Sequence, residues 1–169
     1  MPRIKLISTN GKTASLITLL IIAFGLITIF FPLLLIRLIP QSGIGNYFLE
    51  HVHYGFISIL MLLYFIYTGI FFYKIKIDAY VIDIKSYRTV SGIFKPPNYI
   101  DISHAMLSEF AFFNRPFSFN KTLMIKIETD TGKKVSKRFN LTFLSKKEER
   151  EISKVLKQII ARNSTNGRK

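Results

Sequence analysis

Two long uncharged stretches occupy the first half of the chain. Residues 13–36 and 54–73 contain no Asp, Glu, Lys, Arg or His and consist mainly of Leu, Ile and Phe. About 20 apolar residues, each rising about 1.5 Å, are needed to cross the roughly 30 Å core of a bilayer. Neither stretch has a polar stripe to turn toward water. The pattern predicts two transmembrane helices, with Tyr54 and residues 71–73 as aromatic interface anchors of the second.

The first stretch is also too long for a signal peptide, whose apolar region is typically about 7–15 residues. No small-residue cleavage pattern follows it before Gln41. We therefore expect a retained anchor.

Basic residues flank the two stretches unevenly. Residues 1–12 hold three Lys or Arg, residues 37–53 hold one, and the chain from residue 74 onward holds 20. Positively charged flanks remain in the cytoplasm. We therefore expect a multi-pass protein with both termini cytoplasmic. Residues 1–12 are then a basic cytoplasmic N-terminus, and residues 37–53 a short extracytoplasmic loop.

The second half changes to alternation of apolar and polar residues, which predicts a cytoplasmic domain at 74–162 and a flexible basic tail at 163–169. Five to seven short antiparallel strands are expected. Asp130, Thr131 and Gly132 indicate a hairpin turn between the last two. The strand candidates are residues 76–85, 87–94, 99–103, 106–113, 122–128 and 134–141.

The last predicted element is an amphipathic helix. Ser145 and Glu148 have the spacing of a capping box, in which each side chain bonds the other's backbone amide. A single apolar stripe of this kind can cover one face of a sheet. The stripe consists of residues at helical spacing, namely Ile152, Val155, Leu156, Ile159 and Ile160.

This order of elements resembles the bacterial PH-like domain family, in particular small membrane proteins with two spanning helices ahead of the domain. The resemblance covers the chain from the first apolar stretch to Ile160 and is carried by IKIETDTGKKVSKRFNL and SKKEEREISKVLKQI. The order of elements fits a strongly bent antiparallel sheet or partly open barrel, closed at one end by the C-terminal helix. The resemblance implies a PH-like fold and a role in binding, scaffolding or oligomerisation at a membrane. The expected fold is therefore membrane α + β, a two-helix transmembrane hairpin followed by a PH-like domain, in the inner (cytoplasmic) membrane. The family has no invariant catalytic or ligand motif, so the resemblance transfers no site residues.

The charge of the chain points to anionic partners. Lys and Arg number 24 against 10 Asp and Glu, giving a net charge of +14. Each base near an anionic membrane surface contributes roughly 1 kcal/mol of attraction. Two basic clusters, beside the predicted hairpin and on the predicted helix, are therefore candidate contacts for anionic lipid headgroups or a protein partner: Lys133, Lys134, Lys137 and Arg138, and Lys146, Lys147 and Arg150.

Nucleic acid is disfavoured as a partner. No RRM, KH or helix-turn-helix pattern is present, and an excess of bases near a membrane already follows from the positive-inside rule. The Phe-rich residues 110–119 have three interpretations. They are core residues of two strands around a turn at 114–116, which is favoured, a partner-binding patch, or a loop that enters the bilayer beside Arg115.

The sequence predicts no enzyme and no cofactor or metal. Cysteine is absent, which excludes thiolate catalysis and Cys-ligated metals. The spans hold no ionisable residue, which argues against ion-coupled transport. The group Glu50, His51 and His53 lacks the additional ligands that a metal site needs. A second group lacks a nucleophile motif, namely Asp101, Ser103, His104 and Ser108.

We therefore expect a non-enzymatic integral membrane protein. Its basic PH-like module would serve protein interaction, oligomerisation or contact with anionic lipid. Two alternatives stay open. One is a small accessory or immunity-type subunit of a larger membrane protein, and the other is a membrane-bound enzyme with an unrecognised site.

Overall fold

The computed structural model describes residues 5–38, 43, 46, 50, 52–89, 98–129 and 131–166, and the chain divides into two units. Ser15–Gly69 form a helical unit. Met1–Ala14 and Ile70–Lys169 together form the other unit, which we call the β-domain. The chain is thus an α + β protein in which the β-domain is assembled from both sides of the helical unit.

The helical unit contains α1 (Gly11–Leu38), whose first residues belong to the β-domain, and α2 (Val52–Thr68). Among the residues that the structure describes, α1 is the one helix long and apolar enough to span a membrane, over Gly11–Phe30. The apolar part of α2, Phe56–Thr68, is shorter. Most large apolar side chains described on both helices are exposed in the isolated chain.

The second helix ends at Thr68, before the predicted span does. Gly69 follows with φ of 66°, and its N–H donates to the Phe65 carbonyl at 2.9 Å, as at many helix C-termini. Residues 71–73 belong to a strand, and Tyr73 is buried in the core of the β-domain. The interpretation of Tyr73 as an interface anchor is therefore wrong, because its side chain is buried among the apolar core residues of the β-domain.

The β-domain has two antiparallel sheets. The four-stranded sheet has the order β1 (Leu6–Thr9), β2 (Phe71–Ile77), β3 (Val81–Arg88) and β4 (Asn98–Ser103). A 3₁₀ turn, His104–Met106, leads into the three-stranded sheet of β5 (Leu107–Asn114), β6 (Asn120–Glu128) and β7 (Lys134–Thr142). The final helix, α3, spans Lys146–Asn166.

The predicted basic N-terminus contains a strand. β1 lies immediately before α1 and pairs antiparallel with β2, with Leu6 opposite Ile77 and Thr9 opposite Lys74. β1 and β2 therefore pair although both long helices lie between them in the sequence. A four-residue strand is too short to show a convincing period, so its sequence pattern alone did not predict it.

The core lies between the two sheets and α3. β2, β3, β6 and β7 bury alternate apolar residues, and α3 buries Ile152, Leu156 and Ile159 completely, which confirms the predicted stripe. The capping box is confirmed too. The Ser145 N–H donates to Glu148 Oε2 at 3.0 Å, and the Glu148 N–H donates to Ser145 Oγ at 3.2 Å.

Three local predictions have different outcomes. The hairpin between β6 and β7 is confirmed, with Gly132 at φ of 76°. The predicted strand 76–85 is two strands, because the chain turns where the Asp78 N–H donates to the Val81 carbonyl at 3.0 Å. The predicted flexible tail begins too early, since α3 continues to Asn166 and Asn163 is bonded to the domain.

Candidate functional site

The strands of the β-domain run between two ends of the domain, which we call the junction end and the turn end. At the junction end the chain enters α1 at Gly11 and returns at Ile70. At the turn end lie the β2–β3 turn, residues 78–80, and the β6–β7 turn, residues 129–133. β7 has nine residues, so the two ends are separated by roughly 30 Å.

Asn10 joins the two sheets at the junction end. Its Nδ2 donates to the carbonyls of Phe71, at 2.8 Å, and Thr142, at 2.9 Å, and its Oδ1 accepts from the Tyr73 N–H at 2.8 Å. The Thr142 hydroxyl accepts from the Phe71 N–H at 2.8 Å and donates to Asn120 Oδ1. These buried bonds fix the end of β2 against the ends of β6 and β7.

Glu148 ties the start of α3 to β1, because its Oε1 accepts from Ser8 Oγ at 3.0 Å. Partial burial acts to raise the pKa of Glu148. Hydrogen bonds from the Ser145 hydroxyl, the Ser145 backbone N–H and Ser8 outweigh burial, so the pKa lies below its ordinary value of 4.5. Glu148 is therefore ionised at neutral pH and holds α3 to the edge strand.

A basic groove of about 670 Å³ runs along α3 near the start of β6. It contains five bases and one acid, and that acid, Glu149, forms an ion pair with Lys121. The excess of Lys and Arg makes the groove suited to a phosphate or another anion. Its lining residues are Asn114, Lys121, Lys146, Glu149, Arg150, Ser153, Lys154 and Lys157.

An exposed aromatic turn lies beside this groove, between β5 and β6. We call Phe113, Phe117 and Phe119 the aromatic tip. Phe117 is 93% exposed and has a φ of 54°, and the other two are about half exposed. The Phe143 N–H donates to the Phe119 carbonyl at 3.1 Å, and their rings are 5.4 Å apart. The tip is therefore fixed to the end of β7.

The favoured interpretation of the Phe-rich residues as core is correct only in part. Phe110 and Phe112 pack against the core from β5. Phe117 and Phe119 do not, because the strand ends at Asn114 and the chain turns out of the sheet.

The two predicted basic clusters lie in different places. Lys133 and Lys134 are at the turn end, where Lys134 lies 4.0 Å from Glu128. Lys137 and Arg138 lie in the middle of β7, and Lys137 Nζ donates to the Tyr99 carbonyl at 2.9 Å. The helix cluster, Lys146, Lys147 and Arg150, occupies the first turns of α3 at the junction end. Two of its members, Lys146 and Arg150, line the groove.

The residues weighed for catalysis do not form a recognisable site. His104 is buried at the turn end, and burial, followed by the charge of Arg162, lowers its pKa below 6.5 despite hydrogen bonds to the backbone of Asp78 and Val81. Ser108 Oγ donates to the Lys126 carbonyl at 3.0 Å.

Among the described residues, no group of three or more His, Asp or Glu could hold a metal ion. His51, which the sequence places two residues before His53, lies outside the described residues.

Sequence reasoning missed Asn10, Asn120, Thr142 and the exposure of Phe117. Asn10 and Thr142 are hydrogen-bonded although 132 positions separate them in the sequence, and no local pattern predicts that they meet. The turn at residues 114–116 did indicate where the aromatic tip begins, since Asn and Pro mark turns.

No protein-family model, curated protein or solved structure matches the chain. The fold and site define a class of protein, an α + β chain with a membrane-length apolar helix next to a basic β-domain.

Proposed function

We propose that the chain is a non-enzymatic integral membrane protein, with α1 and α2 as a transmembrane hairpin. Its β-domain is a PH-like binding module at the cytoplasmic face of the inner membrane. The pairing of β1 with β2 carries this proposal. These strands flank the helices and hydrogen-bond to each other, so they lie on one side of any membrane. The chain between them must then cross an even number of times.

The length of α1 and the contacts of the helices support two crossings. α1 exceeds the required length, and α2 has 17 residues, of which the apolar part Phe56–Thr68 is shorter than a full crossing of about 20. A second crossing must lie between α1 and β2, and α2 occupies that place. A Cβ atom at Gly25 would lie 3.1 Å from Leu62 Cδ2, which is the close helix approach that small residues allow in membranes.

The strand order supports the PH-like assignment. Antiparallel strands are followed by one amphipathic helix whose apolar stripe covers the core, as the resemblance implies. The chain departs from that resemblance in one respect, because β1 precedes the two helices instead of following them. The helices are thus an insertion between the first two strands.

Contact with anionic headgroups is the binding function that we propose for this module. Asn10 directly precedes α1, and only Gly69 and Ile70 separate α2 from β2, so no long linker holds the junction end away from the bilayer. Bases within a Debye length of about 8–10 Å are attracted to anionic lipid. The helix cluster meets this condition better than Lys133 and Lys134 of the hairpin cluster, which lie at the turn end.

The accessory or immunity-type subunit is a second candidate. It is supported by the exposed apolar side chains on α1 and α2, which can pack against helices of a larger protein. Co-purification from mild detergent separates the two. A stoichiometric large integral partner favours the accessory subunit, and a monomer or homo-oligomer favours the binding module. No observation on the described residues favours a membrane-bound enzyme.

Single-cysteine labelling tests the topology, because the chain has no cysteine. Ser42→Cys lies in the predicted outer loop, and Lys133→Cys lies at the turn end. With a membrane-impermeant maleimide, we expect Ser42→Cys to react in intact bacterial cells and Lys133→Cys to react only after permeabilisation. Labelling of Lys133→Cys in intact cells, or release of the protein from membranes by alkaline carbonate, contradicts the proposal.

A further inference from the structure

The aromatic tip and the two helix connections are at the same end of the β-domain. Asn120, the first residue of β6, accepts from Thr142, and Thr142 bonds to both Asn10 and Phe71. Phe117 is three residues before Asn120, a distance of at most about 11 Å along the chain. Asn10 is followed directly by α1. If α1 and α2 cross a bilayer, its surface lies within reach of Phe117.

The chemistry of the tip suits the boundary between headgroups and acyl chains. Aromatic rings are enriched at that depth. Arg115 lies in the same turn, and Lys146 and Arg150 lie in the adjoining groove, where they can meet anionic headgroups. A bulky residue such as Phe117 also rarely adopts a left-handed backbone, and such outliers concentrate at functional positions.

The turn end provides a contrast. Tyr80 there is 81% exposed, similar to Phe117. Asp78 and Glu128 lie at the same end, where Asp78 pairs with Lys76 and Glu128 lies 4.0 Å from Lys134, so these charges offset one another. The aromatic tip therefore combines exposure and bases in the adjoining groove with a position beside the helix connections, whereas Tyr80 is exposed at the opposite end of the domain.

We propose that the aromatic tip inserts into the leaflet that α1 and α2 enter, with Phe117 at the boundary between headgroups and acyl chains. The tip then acts with the helices as a third membrane contact and sets the orientation of the β-domain on the surface. This inference rests on the proposed function, because it requires that the helices cross the membrane. Its occupant is the lipid surface itself; a protein partner or a second copy of the chain would contradict it.

The chain has no Trp, so one introduced Trp is an unambiguous fluorescent reporter. Three full-length variants, Phe117→Trp, Tyr80→Trp and Phe24→Trp, are reconstituted in nanodiscs with and without acyl-brominated anionic lipid. Phe24 lies in α1 and reports the crossing itself. Bromine quenches only Trp side chains that contact acyl chains. We expect Phe24→Trp and Phe117→Trp to lose intensity, with a blue-shifted maximum for Phe117→Trp, and Tyr80→Trp to stay unchanged.

Each other outcome has a definite meaning. If Phe24→Trp is quenched and Phe117→Trp behaves as Tyr80→Trp does, the inference is wrong and the proposed function stands. If Phe24→Trp is not quenched, the proposed function itself fails. If Phe117→Trp is shielded from aqueous acrylamide but not quenched by bromine, a protein partner or a second copy covers the tip, and the inference is overturned.

A second pair of variants guards against misfolding of the Trp variants. Phe117→Cys and Tyr80→Cys, each labelled with an environment-sensitive dye, can be compared in the same nanodiscs. We expect the dye at position 117 to show the emission of an apolar environment and the dye at position 80 that of water. Equal emission from both dyes overturns the inference.

Discussion

The junction end and the turn end of the β-domain are formed by the same strands, yet they differ in their polar interactions. At the junction end, Asn10 and Thr142 connect the sheets through buried hydrogen bonds, and the surface carries a basic groove and exposed rings. At the turn end, tight backbone turns close the hairpins, and bases form pairs such as Lys76 with Asp78 at 2.7 Å. The difference indicates that buried side-chain bonds fix the domain where the chain meets the helices, whereas backbone turns close it at the other end.

The largest expected effect is on the connection between the sheets. Asn10→Ala leaves two carbonyls and one N–H without a partner in a buried place. Each such group costs about 1–3 kcal/mol, so we expect a loss of about 4 kcal/mol in the free energy of unfolding. Thermal unfolding of the full chain in detergent, followed by circular dichroism, measures it.

The matched variant at the turn end is Asn163→Ala. Asn163 Nδ2 donates to the carbonyls of His104, at 2.7 Å, and Leu107, at 3.0 Å, in a partly buried place. We expect a loss of about 1–2 kcal/mol, because water can replace part of these bonds. An equal or larger loss for Asn163→Ala than for Asn10→Ala would remove the distinction between the two ends.

The two basic clusters should differ in how much they attract the β-domain to anionic lipid. Substitution of Lys146, Lys147 and Arg150 by Gln removes roughly 3 kcal/mol of attraction to anionic lipid at low salt. A dye on Ser153→Cys, in the groove, should become less shielded from acrylamide in anionic nanodiscs after this substitution. Neutral nanodiscs provide the baseline.

The hairpin cluster is the control for this experiment. Replacement of its two turn-end residues by Gln should leave the shielding at Ser153→Cys unchanged, because these residues lie far from the groove. Equal effects of both replacements would mean that the lipid attraction is a property of net charge and not of the junction end. The control substitutes Lys133 and Lys134 and leaves Lys137 and Arg138, in the middle of β7, unchanged.

The smallest expected effect is a pH dependence at Glu148. The folded pKa is below the ordinary value of 4.5, so the stability from ionised Glu148 is full above pH 4.5 and is lost as the pH falls through the folded pKa. Glu148→Gln keeps the polar atoms of the capping box but does not titrate. We expect its melting temperature to fall less than that of the native chain below pH 4.5.

His104 provides the corresponding test at the turn end, in a different pH range. Its folded pKa is below 6.5, so only the unfolded chain gains a proton as the pH falls from 6.5, and stability is lost until the folded pKa is passed. His104→Leu should remove this loss. If both variants act in the same pH range, the assignment of one titrating group to each end is wrong.

Much of the fold was predictable from local patterns. The uncharged apolar residues 13–36 predicted α1, and the spacing of Ser145 and Glu148 predicted the start of α3. Gly132 predicted the β6–β7 turn. Each of these features depends on residues within a few positions of one another. The candidate site was predicted less well, since the sequence offered two basic clusters without showing that they lie in different parts of the domain.

The sequence by itself determined which segments are helical, where the apolar face of α3 lies and how strongly basic the domain is, because these follow from residue type and local spacing. Only the tertiary structure decided that residues 6–9 join β2, that Asn10 links the two sheets and that Phe117 is exposed while Phe110 packs on the core. The physical reason is that strand pairing and burial depend on contacts between segments far apart in the chain. The residues next to a short strand or a single Asn in the sequence do not indicate which distant segment it will contact.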